Sequence, residues 1–306
     1  MSPYVLNPPD GSDPFNCLRI DSRILLGQNQ AFSRRDTTMT AVALTIAGSD
    51  PSGGAGLQAD LKTFHQHGVY GMSVVTLLTV QNTQTVSQVH IQAPALVRDQ
   101  LEAVLNDIPP AAAKTGALGN AAVIEVIAQR AAGFNFPLVI DPVMISKHGA
   151  RLIEEQATEV LIRQLLPCAT LITPNLHEAA ALSNRSVDGL AAMADAARAI
   201  ADLGVHNVLV KGGHLQGDAV DVLLADGHIF PFHSPRLTTP HTHGTGCVYS
   251  AAITARLAMG ETLVDAVQAA KQFVTDAIRT PPGLGRGLGP TNLFATPPGL
   301  GSGLDL

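Results

Sequence analysis

From Met39 onward, short apolar runs alternate with stretches whose apolar residues recur every three or four positions. "AVALTIA" (41–47) precedes a helical spacing through Leu57, Leu61 and Phe64. "MSVVTLLTV" (72–80) precedes another through Val97, Leu101, Val104 and Ile108. "AAAKTG" (111–116), "FPLVIDP" (136–142), "ATLITP" (169–174) and "NVLVKGG" (207–213) follow, each an apolar run that closes on polar or turn residues. Strands and helices in alternation predict the α/β class, a parallel sheet covered by helices. "AVDVLLADGHIFPF" (219–232) departs from the alternation, because Asp226-Gly227 between two strand-like runs predicts an antiparallel hairpin at or near a sheet edge. "GTGCVYSAAITARLAMG" (244–260) and "LVDAVQAAKQFVTDAIR" (263–279) predict two closing helices.

The two ends lack this regularity. Residues 1–38 show no sustained period and read as an extension outside the core, with Met39 an alternative start. At the other end "TPPGLGRGLGP" (280–290) returns weakly as "TPPGLGSGLDL" (296–306), and 295–306 reads as a flexible tail. The core domain then spans 39–294. Composition agrees with a large core, since 46% of the 306 residues are hydrophobic and only 14% charged. A net charge of -6 advertises no basic surface for nucleic acid and leaves a small-molecule site as the better expectation. No apolar stretch approaches the roughly 18 residues of a membrane span, and the N-terminus lacks the order of a secretory signal, so a cytoplasmic protein without membrane contact is expected. Cys17, Cys168 and Cys247 are odd in number and far apart, which fits reduced thiols.

In an open parallel sheet, ligands bind beyond the carboxyl ends of the strands. The chemistry-bearing residues fall at those ends: Gly48 to Gly56, Gln81-Asn82-Thr83, Lys114-Thr115-Gly116, Asp141, Asn175 with Glu178, and Lys211-Gly212-Gly213. "THGTGC" (242–247) opens the first closing helix, where Gly244, Thr245 and Gly246 let backbone N–H groups and the helix dipole face an anion. Cys247 at that N-terminus is placed for a lowered thiol pKa, hence for catalysis; the bland alternative is a helix cap with a buried cysteine. His241 and His243 form an H-x-H pair with no third ligand nearby, so the pair does not read as a metal site. Neither G-x-x-x-x-G-K-[ST] nor G-x-G-x-x-G after a strand is present. Lys211 could reach a phosphate or could simply be solvated. Asp141 and Glu178 could serve magnesium through water, or be a helix cap and a surface charge. Asp60, inside a helix, is costly to bury without a partner. Gln81 offers both donor and acceptor to a heterocycle edge.

Taken together, "ALTIAGSDPSGGAGLQADLKTF", "YGMSVVTLLTVQNT", "LITPNLHEAAAL", "VLVKGGH" and "THGTGC" resemble the hydroxymethylpyrimidine/phosphomethylpyrimidine kinases of thiamine biosynthesis, in the ribokinase superfamily. The resemblance runs from about Ala41 to about Phe294. It implies a ribokinase-like three-layer α/β/α sandwich with a mostly parallel sheet, usually a homodimer. It also implies transfer of the γ-phosphoryl of MgATP to 4-amino-5-hydroxymethyl-2-methylpyrimidine, then to its monophosphate. By the same resemblance Gly48 lies against the pyrimidine, and Asp60 and Gln81 hold its polar edge. Gly244, Thr245, Gly246 and Cys247 form the anion hole, with Cys247 where many relatives place an aspartate base. Lys211 steadies the ATP phosphates, with Asp141, Asn175 and Glu178 around Mg2+ and the triphosphate. One departure stands out: the family commonly reads Gly-Met-Leu where this chain has Gly116-Ala117-Leu118, which removes packing from the ring pocket. Pyridoxal kinase of the same superfamily is the alternative activity, and a non-catalytic pyrimidine-binding protein is the alternative of another class.

Overall fold

The computed structural model describes residues 40–145, 149, 152–154, 156–213 and 217–300. The extension expected at 1–38 and the last six residues of the expected tail lie outside the described residues. Contacts divide the chain after Met39, and the second unit, Thr40–Leu306, carries everything below.

Each apolar run becomes a strand. β1 (Val42–Ser49), β2 (Tyr70–Gln81), β3 (Val86–Ile91), β4 (Ala112–Thr115), β5 (Leu138–Ile140), β6 (Leu171–Ile172), β7 (Val208–Val210), β8 (Ala219–Ala225) and β9 (His228–Ser234) form one sheet. Its order is β3-β2-β1-β4-β5-β6-β7-β8-β9. β2, β1, β4, β5, β6 and β7 run parallel. β3 joins antiparallel at one edge, and β8 with β9 at the other. The hairpin expected at Asp226-Gly227 is β8–β9, and both residues take positive φ, 49° and 78°, as the primed turns that match strand twist require. β3 is an element that the apolar pattern did not indicate. Its residues are exposed or half-buried throughout, so the edge pairing with β2, rather than a core face, makes it a strand.

The helices are α1 (Gly56–Gln66), α2 (Pro94–Asp107), α3 (Ala121–Ala131), α4 (Ala157–Val160), α5 (Leu176–Ser183), α6 (Leu190–Ala201), α7 (Thr245–Ala258) and α8 (Leu263–Arg279). α4 runs on through a π turn at Leu161–Leu165 and a 3-10 turn at Leu166–Cys168. Alternation along β1 sends Leu44 and Ile46 into one core with Leu101 of α2, Ile127 of α3 and Ile200 of α6. Ala43 goes into the opposite core with Phe64 of α1, Ile253 of α7 and Phe273 of α8. The result is a three-layer α/β/α sandwich. α7 is buried all round from Val248 to Ala258, and its alanines at 251, 252 and 255 let it lie close against the sheet. That close docking carries the start of α7 to the carboxyl edge of the parallel strands.

The first part of the tail expected from residue 295 packs on the domain. Ala295 and Pro297 are buried, and the Arg256 guanidinium donates to the Pro298 carbonyl and to Glu261 Oε1. Arg256 is itself 5% exposed, so its donors need acceptors, and the chain beyond 295 supplies one.

Phe273 fills the α1–α7–α8 core, fully buried, with its ring edge-on to His67 at a 4.7 Å centroid distance. Phe273→Ala is expected to cost about 3–5 kcal/mol, read as a lower urea midpoint at unchanged slope.

Candidate active site

β2 lies on one side of β1 and β4 on the other, so the strand order reverses beside β1. A ligand crevice is expected at such a switch point. A cleft of about 820 Å³ opens there along the carboxyl ends of the strands, near the upper end for small-molecule sites. The eleven residues to which the family resemblance gives a role all line it: Gly48, Asp60, Gln81, Asp141, Asn175, Glu178, Lys211, Gly244, Thr245, Gly246 and Cys247. Gly48, Gln81 and Ala117 line it, as do Arg236, Thr275 and Ile278.

The glycines bring two loops together. Gly244 caps α7 with φ +77°, and a Cβ there would collide with the Gly54 carbonyl of the loop between β1 and α1. A Cβ on Gly54 would lie 2.8 Å from His243 Cδ2. Gly48 has a packing reason as well, because a Cβ there would collide with the Leu77 side chain. Asp50 orders the first loop by accepting from Ser52 N, Ser52 Oγ and Ala55 N, and it accepts from His243 Nε2 at 2.7 Å. Burial works to raise the Asp50 carboxyl, but these hydrogen bonds hold it below the ordinary value. The "GLGRGLG" segment crosses the same region: Leu288 N donates to the Thr83 carbonyl and His243 N to the Gly289 carbonyl.

Beneath the start of α7 lie two ion pairs. Lys114 Nζ is 2.8 Å from Asp60 Oδ1, both side chains wholly buried, and Thr45 Oγ1 donates to Asp60 Oδ2 at 2.7 Å. Burial pushes the Asp60 carboxyl up against the pull of Lys114; the same carboxylate keeps the Lys114 ammonium protonated although burial opposes it. Lys211 Nζ is 2.9 Å from Asp141 Oδ1, and Thr173 and Ser250 also donate to Asp141. Against burial, Lys211 and then Lys114 hold the Asp141 carboxyl below its usual range. Gly246 makes room for this pair: a Cβ there would sit 3.3 Å from Lys211 Nζ and 3.7 Å from Asp141 Oδ2.

Asn175 and Glu178 form a capping box on α5, the Asn175 side chain accepting from Glu178 N and Glu178 Oε2 from Asn175 N. Glu178 is therefore no surface charge; it is 6% exposed, and burial pushes its carboxyl up to about 7 despite Lys211. Cys247 corrects an expectation. It occupies the first turn of α7, yet burial raises its thiol to about 12, and the nearby Asp60 and Asp141 add to the rise while Lys114 opposes it. The helix start is too small an influence to outweigh desolvation among carboxylates. Cys247 at rest is a thiol, not a thiolate.

Four participants, Lys114, Leu77, Asp50 and His243, were given no role from the sequence. Lys114 carried a signal, a cation inside the apolar run "AAAKTG" that demands a buried partner. Leu77 carried none, since it reads as ordinary strand, and the pairing of Asp50 with His243 was invisible because it joins residues 193 apart.

The phosphomethylpyrimidine kinase family matches residues 50–292 of the chain. A hydroxymethylpyrimidine/phosphomethylpyrimidine kinase of Haemophilus influenzae is 50% identical over 258 residues, which cover 82% of this chain and 96% of that protein. The crystal structure of phosphomethylpyrimidine kinase from Clostridium difficile 630 is similar at TM-score 0.70 and 42% identity, covering 78% of this chain and all of that one. Bacillus subtilis pyridoxal kinase in an ADP complex is similar at TM-score 0.77 and 40% identity, covering 84% and 98%.

Lys114→Met leaves Asp60 buried without its cation and is expected to cost about 3–5 kcal/mol in chemical denaturation; adding Asp60→Leu recovers most of the loss. Glu178 makes a pH prediction. Its folded value, about 7, lies above its ordinary 4.5, so its contribution is full below 4.5 and is lost as pH rises through 7. Wild-type stability relative to Glu178→Gln should fall by up to about 3 kcal/mol across that window, followed by urea denaturation from pH 4 to 8.

Proposed function

The chain belongs to the phosphomethylpyrimidine kinase family, and from that premise we propose how its cleft works. It is a ribokinase-like phosphotransferase of thiamine biosynthesis that uses ATP to phosphorylate 4-amino-5-hydroxymethyl-2-methylpyrimidine and then its monophosphate. The observation that carries the reading is the middle of the cleft. The Asp141–Lys211 pair and the start of α7 line it together, and a Cβ on Gly246 would sit 3.3 Å from Lys211 Nζ. The Gly246 and Cys247 N–H groups precede the first bond within that helix, from Val248 N to the Gly244 carbonyl.

The acceptor occupies the end lined by Gly48, Gln81 and Ala117, with Asp60 and Lys114 beneath it. ATP lies along the other end with its γ-phosphoryl over Gly246. Lys211, already protonated and held by Asp141, steadies the phosphates, and the Gly244 to Cys247 backbone receives the charge spread over the transferring oxygens. Asn175 and Glu178 face the triphosphate. The carboxylates suit Mg2+ held largely through water: Asp141 and Glu178 both line the cleft, and this ion needs only one or two protein carboxylates. Mg2+ bound there through water would neutralise charge on the phosphoryl oxygens. Because Cys247 is a thiol, it begins the reaction as part of the anion hole and not as the base that its position suggested. A loose transition state asks little of a base before the bond to the leaving oxygen has opened. The family resemblance further supports a cytoplasmic homodimer, which sedimentation would check; no helix among the described residues is long and apolar enough to cross a membrane.

The test is ADP release with MgATP and, in parallel, hydroxymethylpyrimidine, its monophosphate, pyridoxal and no acceptor, products identified by mass. Turnover on both pyrimidines is expected. Turnover on pyridoxal alone would move the activity to that vitamin, and tight ligand binding with no acceptor-dependent ADP would make the chain a binding protein. In the same assay Lys211→Ala should lower kcat by about 100-fold or more while calorimetric acceptor binding stays near wild type. Wild-type turnover in that variant would sink the site assignment.

A further inference from the structure

His243 is a buried histidine that the transfer itself does not use. Its Nε2 stands 2.7 Å from Asp50 Oδ2 and 3.3 Å from the end of the Gln81 side-chain amide that is placed as Nε2. The other end of that amide stands 3.2 Å from Thr79 Oγ1. An amide's nitrogen and oxygen are told apart by their partners, and here the partners decide. The Asp50 carboxylate only accepts, so the proton of its contact with His243 sits on Nε2. Nε2 then has no lone pair for an amide N–H, and the Gln81 atom beside it is the carbonyl oxygen. The second end gives the same answer independently. The Ser49 carbonyl, 2.9 Å from Thr79 Oγ1, takes that hydroxyl's single hydrogen. Thr79 Oγ1 can only accept from Gln81, and the atom beside it is the NH2 group.

We infer that Asp50 and His243 lock the polarity of the Gln81 amide, carbonyl toward His243 and NH2 toward Thr79, and thereby select acceptors that pair an amino group with a ring nitrogen. This rests on the proposed function, which puts the acceptor ring at Gln81. With its carbonyl beside the His243 N–H that Asp50 already takes, and one N–H given to Thr79, the amide keeps one carbonyl lone pair and one N–H for the ring. A 4-aminopyrimidine edge donates from its exocyclic amine and accepts at N3, which matches. A 4-oxo edge presents the reverse, N3–H and a carbonyl, and the locked amide would have to rotate by half a turn to meet it. Rotation would set the NH2 group against the His243 N–H and leave Thr79 facing a carbonyl with no hydrogen to give. Asp50 and His243 are positioning residues in this scheme. They touch the acceptor only through Gln81.

The experiment compares kcat/KM for the 4-amino acceptor and its 4-oxo counterpart in wild type, His243→Leu and His243→Gln. The wild-type preference for the amine should be about 100-fold or more, since a site built for one hydrogen-bond pattern strands its polar groups against the reverse. In His243→Leu the amide is free to turn, and the preference should fall at least about 10-fold while KM for ATP stays within about twofold. His243→Gln places an amide N–H near the Nε2 position and should restore most of the preference. If His243→Leu does not fold by circular dichroism, Thr79→Val, which frees the other end, should lower the preference about 3-fold. A His243→Leu preference equal to wild type, with both acceptors slowed alike, would make the histidine merely structural and overturn the lock. Wild-type protein that neither binds nor turns over either pyrimidine would overturn the functional reading, and the lock with it.

Discussion

Four charges buried under the start of α7 constrain the rest of this structure. Asp60, Lys114, Asp141 and Lys211 are two carboxylates and two ammonium groups with little or no access to water. Any one of them alone would be prohibitively costly to bury, and the set is tolerable because it is neutral and every member is paired. The charges reach one another from α1, β4, the end of β5 and the end of β7, so the sheet order and the docking of α1 and α7 are both required before any pair can close. The same arrangement explains why Gly246 has no side chain. A bulkier residue would crowd the Asp141–Lys211 pair at the first turn of the helix.

That floor also suits phosphoryl transfer. A transferring phosphoryl group needs fixed positive charge and oriented N–H donors already in place, because reorganising them during the reaction would return much of the gain. Lys211 is held by Asp141 and Lys114 by Asp60, so neither ammonium has to be recruited from solvent. Glu178 is the exception in the cluster, a carboxyl kept near its titration point by burial. Cys247 shows the cost of the design: it stands among Asp60 and Asp141, and their field works against the thiolate that its helix position would otherwise favour.

Much of the architecture was legible beforehand. "AVALTIA" and "NVLVKGG" announce buried strands by apolarity alone, and Asp226-Gly227 announces its hairpin by turn chemistry. β3 was not legible, because an edge strand with no buried face carries no pattern to read. The residues of the cleft were visible as polar punctuation at strand ends, yet their partners were not. Asp60 could be seen to need a cation, but only the pairing of β1 with β4 shows that it is Lys114. The H-x-H pair looked like an idle metal motif until Asp50, 193 residues earlier, was found beside it.

The sequence by itself determined the order and kind of the elements, the edge of the sheet where function gathers, and the family, because periodicity, turn residues and contiguous motifs are local properties. Tertiary structure decided which charges pair, what a side chain at Gly48 would meet, which groups surround the Gln81 amide and in which direction the Cys247 thiol shifts. Those outcomes depend on desolvation and on distances between residues tens to hundreds of positions apart, and neither exists until the layers have closed.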